Sequence, residues 1–477
     1  EARPFSEVWG EGRLMIAIAT LAQVDDARPW RDIGKRKVDR LLSLTREKDG
    51  FRFLWKGRFR PGETVPADAS EPTGGLQGAS LLDRYPDPRM SIIYSVGALG
   101  HGSGLFYRVT GYEPALELSR GLARWALARI FTQEDGRWNI YHFHHSLYAL
   151  MAVCEYAAAT GDLQAWEQVE ACYRWAREMG DPLVGFYAEC MPGSECYLKR
   201  QGNTVEICEV ADMVWLALYL TRAGIGDYWD DVDRWMRNLY AEGQMCSADP
   251  LTHIPDSYLN PEPAMYPYQD TRDVARRSVG SFFGWMRAND GLDVMQTDQG
   301  PKLASHGIMH CCTGNGARTL YHVWDSIVTR EGERTKVNLL LNRASPWLDV
   351  DSYLPVEGKV ALHIKDAPTV AVRMPEWSDP AGVRVQVNGD DRCGLVQGRY
   401  VQVGFLKPKD EVELTFPVPE RTIHRVIGEI PYKLVLRGAN VVSIDPKGVA
   451  YPLYEDQPTG ALRKKTRFMP QIRDIIW

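Results

Sequence analysis

The chain has 477 residues, 44% of them hydrophobic and 25% charged, ordinary globular values that exclude a disordered or fibrous class. Its formal net charge of −6 supplies no basic field for a phosphate backbone, and no Lys/Arg run is long enough for a polybasic anchor, so nucleic acid is not an expected partner. This length predicts one large domain and a second, smaller one.

The longest apolar run near the start, Leu14 to Ala22, falls far short of the roughly 20 residues a membrane helix needs, so no membrane span is expected. The chain opens on Glu1 rather than Met, and a periplasmic, secreted or cytoplasmic location is left open, as is the oligomeric state. From here to residue 335 the pattern reads as helix after helix. Thr110-Gly111, Ala115, Glu117 and Arg124-Trp125-Ala126 recur about fifty residues later as Thr160-Gly161, Ala165, Glu167 and Arg174-Trp175-Ala176, and a weaker third copy ends at Arg234-Trp235-Met236. Each unit predicts one helical hairpin. Leu118, Leu122, Trp125 and Ala126 fall at i, i+4, i+7 and i+8, one apolar stripe that must stack on a neighbour. Such stacking gives an open solenoid or a closed helical toroid, and the pattern alone does not separate them.

Tyr141-His142-Phe143-His144-His145 precedes the second hairpin, and His101 begins the equivalent stretch of the first. Such a cluster suits hydrogen bonding to a ligand, packing at a helix entrance, or a metal. Two carboxylates, Glu189 and Glu195, lie shortly before Glu206-Ile207-Cys208, and Cys311-Cys312 follows about a hundred residues on. One carboxylate and three thiols make a soft donor set that favours zinc over magnesium or calcium. Read without that chemistry, the same residues are buried core cysteines and an unrelated Glu. Adjacent cysteines share one tetrahedron poorly in a regular helix, so they are expected at a helix entrance or turn, with the helix resuming near Arg318 after Thr313-Gly314-Asn315-Gly316. Nine cysteines form an odd set, so some thiols are expected free or metal-bound. Among fifteen tryptophans, Trp125, Trp175 and Trp235 lie on the repeat stripes and read as packing, whereas Trp138, Tyr187 and Tyr197 lie near expected loops and suit stacking on a sugar ring.

After Arg330-Glu331-Gly332-Glu333, a charged, Gly-containing stretch suited to a linker, strands take over. Val383, Val385 and Val387 alternate with polar residues before Asn388-Gly389, and Val412, Leu414 and Phe416 alternate again, predicting an antiparallel β-sandwich over 336–477.

The run His310-Cys311-Cys312-Thr313-Gly314-Asn315-Gly316-Ala317-Arg318, the Glu206-x-Cys208 pair, and the segments Val372-Arg373-Met374-Pro375-Glu376-Trp377 and Val387-Asn388-Gly389 together resemble the β-L-arabinofuranosidase-like superfamily typified by glycoside hydrolase family 127. The resemblance implies an (α/α)6 catalytic toroid over 1–335, with the β-sandwich after it. It further implies a zinc ion on Glu206, Cys208, Cys311 and Cys312, and Cys311 as nucleophile of a retaining exo-glycosidase, acting on a β-L-arabinofuranoside as the family default or on another plant- or algal-type sugar, an acidic one included. Glu195, after Gly193-Ser194, fits the family's acid/base better than Glu189, although its interval to Glu206 is shorter than the family pattern. His144 and His145 are the candidates for the family's histidine that reaches toward the sugar, His101 holds the equivalent position of the first hairpin and is treated alike, and His310 abuts the nucleophile. Two rival readings are a helical-toroid lyase or unsaturated-uronide hydrolase, which leaves the four ligand residues without a role, and a carbohydrate-binding protein with a closed structural zinc.

Overall fold

In the computed structural model the described residues are 6–71, 92–132, 134–138, 142–192, 204–258, 270, 272–303, 307–455 and 475–477. Helices dominate the first part: α1 (Val8–Val24), α2 (Trp30–Leu42), α3 (Ile92–Thr110), α4 (Glu113–Arg129), α5 (Phe143–Thr160), α6 (Leu163–Glu178), α7 (Ile207–Arg222), α8 (Trp229–Arg237) and α9 (His310–Ile327). The repeat is the hairpin pair α3–α4 and α5–α6, with α7–α8 as the weaker third copy. Its Thr-Gly signature has a local cause. Gly111 and Gly161 adopt φ of 70° and 71°, the left-handed conformation that ends a helix and is costly for residues with a Cβ. After Gly161, the Asp162 carboxylate accepts a hydrogen bond from the Ala165 amide and starts α6.

The apolar stripe behaves as its spacing requires: Leu118, Leu122, Trp125 and Ala126 are all fully buried. Helices α1, α3, α5, α7 and α9 pack successively, each on the next, while α2, α4, α6 and α8 lie outside them. The inner helices are buried nearly all round; α3 is buried from Ile92 through Phe106 and α7 from Ile207 through Leu220. This inner-and-outer layering is that of an (α/α)6 toroid. No helix among the described residues is long and apolar enough to cross a membrane.

Strands begin directly after α9. Arg330–Glu333, expected as a linker, turns a hairpin between Val328–Glu331 and Arg334–Val337. One sheet runs in the spatial order Asp390–Arg392, Arg384–Val387, Glu411–Thr415, Lys359–Ile364, Leu348–Ser352, Arg343–Ala344; the other runs Leu395–Gln397, Tyr400–Phe405, Thr369–Arg373, Arg334–Val337, Val328–Glu331. Val385, Val387, Val412 and Leu414 are buried as their alternation predicts. One pairing departs from the antiparallel expectation. Thr369–Arg373 lies parallel to Arg334–Val337 because the chain visits the opposite sheet before returning.

A three-stranded ribbon, Glu420–Ile427, Ile430–Arg437 and Asn440–Asp445, ties the β-rich part back to the helices. Asn238 donates to Ala439 O and accepts from the Val441 amide, and Arg425 pairs with the buried Asp181 at 2.9 Å. From the C-terminal end, Trp477 stacks on His322 of α9 at 4.2 Å.

Candidate metal centre and active site

The chemistry-bearing residues gather where the inner helices begin. Glu206 is the N-cap of α7 and Cys208 lies in its first turn; Cys311 and Cys312 open α9. Arg13, Tyr94 and His144 lie within the first two turns of α1, α3 and α5. Helix N-termini carry partial positive charge, which favours thiolates and other anions there.

Glu206, Cys208, Cys311 and Cys312 each offer one ligand atom, and these atoms lie within 4.8 Å of one another. Cys208 Sγ is 3.5 Å from Cys312 Sγ, Cys311 Sγ is 3.9 Å from Cys312 Sγ, and Glu206 Oε2 is 3.9 Å from Cys312 Sγ. A tetrahedron with metal–sulfur bonds of about 2.3 Å has sulfur–sulfur edges of about 3.8 Å. The spacing therefore fits an ion held among the four groups and is too wide for a disulfide. Three members are buried; Cys311 alone is partly exposed. Asn315, one turn beyond Cys311, donates from Nδ2 to Cys208 Sγ at 3.2 Å, the outer contact that orients a thiolate ligand.

Without a cation the thiols must share protons. Cys208 and Cys312 lower the Cys311 thiol well below its ordinary range by hydrogen bonding to it, with His144 and His310 adding to the effect. Burial raises the Cys208 thiol instead. The cluster is thus polarised toward a thiolate at its exposed member. Glu209 accepts the Glu206 amide proton at 2.8 Å, and burial together with Glu206 and Glu189 pushes its carboxyl well up. It braces the entrance to α7 through the Glu206 amide.

The expected helix break after the cysteine pair does not occur. Helix α9 runs unbroken through Gly314 and Gly316. Gly316 serves close packing rather than a turn, since a Cβ there would lie 2.7 Å from the Phe282 ring. Cys311-Cys312 does sit at a helix entrance, as expected.

His144 is buried, with Nδ1 2.5 Å from Asp212 Oδ2, which leaves Nε2 without a partner among the described residues. Asp212 also faces Arg318 at 3.4 Å. His145 stacks on His142 at 4.0 Å, and burial lowers it to about 3, so it is neutral at physiological pH. His101 is buried against Trp215, with Nε2 3.7 Å from Glu155 Oε1. Burial keeps it neutral too. His310 is exposed.

Glu195 and Tyr197 lie outside the described residues. Glu189 is buried 3.7 Å from His142 Nε2, on a segment held by the Phe143 amide and by Thr204 O. Trp138 and Tyr187, expected near a ligand, are packed into an aromatic cluster with Phe143, and Tyr187 is fully buried. Segments between helices here fill the space between layers, so position outside a helix does not give exposure. Cys190 is disulfide-bonded, while the other described cysteines, Cys154, Cys172, Cys208, Cys246, Cys311, Cys312 and Cys393, carry free thiols.

Sequence reasoning missed Asp212, Arg318, Tyr94, Tyr148 and Arg13. A signal existed for the first, a lone acid within the apolar run of α7 and four residues from Cys208, hence on one face with it. Asp212→Asn is expected to cost about 3 kcal/mol of stability, because it strips a buried charge from both His144 and Arg318. Denaturant unfolding measures this; an unchanged midpoint would mean the pairing contributes nothing.

No family model matches this sequence, and no curated protein matches it. Solved structures do. A glycoside hydrolase family 127 β-L-arabinofuranosidase from Geobacillus stearothermophilus T6 aligns over 92% of this chain and 78% of its own, with TM-score 0.52 and 14% identity. A second family 127 β-arabinofuranosidase aligns over 91% of this chain and 75% of its own, with TM-score 0.50 and 15% identity. At such identities the likeness is one of fold, and by fold this chain is similar to the β-L-arabinofuranosidases of glycoside hydrolase family 127 across most of its length.

Proposed function

We propose that the protein is a zinc-dependent, retaining exo-glycoside hydrolase with Cys311 as nucleophile, acting on a terminal β-L-arabinofuranoside or another plant- or algal-type sugar. The observation that carries this reading is the convergence of Glu206, Cys208, Cys311 and Cys312, with Cys311 the one of the four that is not buried. A closed structural site has no reason to expose one thiol. The fold shared with arabinofuranosidases supports the same reading.

Three thiolates and a carboxylate match zinc best. When bound, the ion keeps the sulfurs deprotonated at neutral pH and holds them in place. The Cys311 thiolate attacks the anomeric carbon, forming a C–S bond as the glycosidic C–O bond breaks, and Glu195 gives its proton to the departing oxygen. Water then attacks the same carbon, Glu195 takes the water's proton, and the C–S bond breaks to restore the thiolate. Two inversions yield net retention. His144 and His145 supply hydrogen bonds to sugar hydroxyls, and His101 supports them from the neighbouring inner helix.

The purified protein is expected to carry about one zinc per chain, and Cys208→Ala to lose both metal and activity, since ligation is the role proposed for this thiol. Elemental analysis alongside hydrolysis rates checks both. Metal-free protein with full activity would overturn the proposal.

A further inference from the structure

The inner wall of the toroid carries a cation that the scheme above leaves without a task. The Arg13 guanidinium carbon lies 5.6, 5.3 and 5.5 Å from the ring centroids of Trp9, Tyr94 and Tyr148. One of its nitrogens donates to the Tyr94 hydroxyl, and Nε is buried with no partner among the described residues. No carboxylate among those residues lies within ion-pair distance of it; the groups that act on its charge are Tyr148, Tyr94 and Cys208. Arg318 reaches the Tyr148 ring from α9 at 5.9 Å. Its own contacts, to the Tyr148 hydroxyl and Asp212, are both long at 3.4 Å, and its Nε is likewise buried without a partner. Asp212 is already committed to His144 at 2.5 Å.

Of these two guanidinium groups only Arg318 therefore faces a carboxylate among the described residues, one that His144 already engages. Aromatic faces return part of the hydration that a buried guanidinium loses, but its in-plane N–H fork is satisfied best by a planar oxyanion. The place is also right for a substrate group. Tyr94 contacts His144 and His145 at 5.2 and 5.0 Å between ring centroids, and both histidines lie within electrostatic reach of Cys311.

We propose that Arg13, backed by Arg318, receives a carboxylate on the terminal sugar, so that the preferred substrates are glycosides of acidic, uronic-acid-type sugars. This rests on the glycosidase reading and narrows its substrate class. It makes Arg13 the specificity-determining residue.

The test uses the zinc-loaded enzyme and matched pairs of aryl glycosides, each ring carrying either a hydroxymethyl group or the corresponding carboxylate. The pairs include β-L-arabinofuranoside with its C5-oxidised form, and hexopyranosides with their uronates. Wild-type kcat/KM is expected to favour the carboxylate member by roughly tenfold or more. In Arg13→Gln the carboxylate-to-neutral ratio falls about 100-fold, mainly through KM, while Arg13→Lys loses less because it keeps the charge but not the fork. Zinc content is expected to stay at the wild-type level. A wild type that hydrolyses the neutral members faster overturns the inference and leaves the glycosidase reading standing, whether or not the variants fold. Equal losses on both members, together with loss of zinc from Arg13→Gln, also overturn it, since Arg13 would then balance the charge of the thiolate cluster. If no member of any pair is hydrolysed and Cys311 takes no label from an inactivator, the glycosidase reading fails and takes the inference with it.

Discussion

A mechanism-based inactivator of the matching sugar, such as a cyclophellitol or a glycosyl haloacetamide, is expected to label one peptide of the native protein, the one containing Cys311-Cys312, with fragmentation placing the adduct on Cys311. Exposure is the first reason. Cys208 and Cys312 are fully buried, whereas Cys311 is partly exposed at the opening turn of α9. Charge is the second, because the neighbouring thiols hydrogen-bond toward Cys311 and keep it the most acidic of the three. Geometry is the third. Glu206, Cys208 and Cys312 are buried, with Cys312 in contact with both of the others, so these three would hold a bound metal ion while the Cys311 thiolate stays free to meet a sugar carbon. Cys311→Ser is expected to lower turnover by about a thousandfold or more, since a serine hydroxyl is far less ionised than a thiol. Label on Cys312, release of product with inverted configuration, or near-normal rates in Cys311→Ser would each make Cys311 structural only.

The parts of this architecture that were legible in the sequence are those written in local chemistry. Thr-Gly followed by a capped apolar stripe reports a helical hairpin because both the left-handed glycine and the stripe are short-range requirements. The Glu-x-Cys and Cys-Cys pairs were legible because few donor sets combine three thiols and a carboxylate. What was hidden depends on closure of the ring. Arg13, Tyr94, Tyr148, Asp212 and Arg318 come from five different helices and meet only once those helices are arranged around one axis. Glycine misled for a similar reason, since in Gly314-Asn315-Gly316 it reads as a turn, while the tertiary need was space beside the Phe282 ring. The parallel pairing of Thr369–Arg373 with Arg334–Val337 was hidden too, because strand direction is set by the path of the connection and not by the alternation within a strand.

The acid/base carries the other large effect. Glu195→Gln is expected to slow glycosides with poor leaving groups, alkyl or sugar alcohols, by about a thousandfold, and activated aryl glycosides by about tenfold or less. Only a basic alkoxide needs a proton as the C–O bond breaks, so a carboxamide, which cannot donate one usefully, separates the two classes. The rate of the alkyl substrates should lose its dependence on a protonated carboxyl, flattening the high-pH limb of kcat/KM. Zinc content should stay constant, because Glu206, Cys208, Cys311 and Cys312 already offer the four ligands a tetrahedral zinc takes. Glu189 is the competitor. Its side chain is buried beside His142 and acts on Glu209 at the entrance to α7. The two variants are therefore made in parallel and read on the same substrate series. A leaving-group-dependent loss at 195 and a uniform loss at 189 assign the proton to Glu195 and leave Glu189 as a brace for the metal-bearing turn. The reverse pattern moves the acid/base to Glu189, and a uniform loss in both would mean that neither protonates the leaving oxygen.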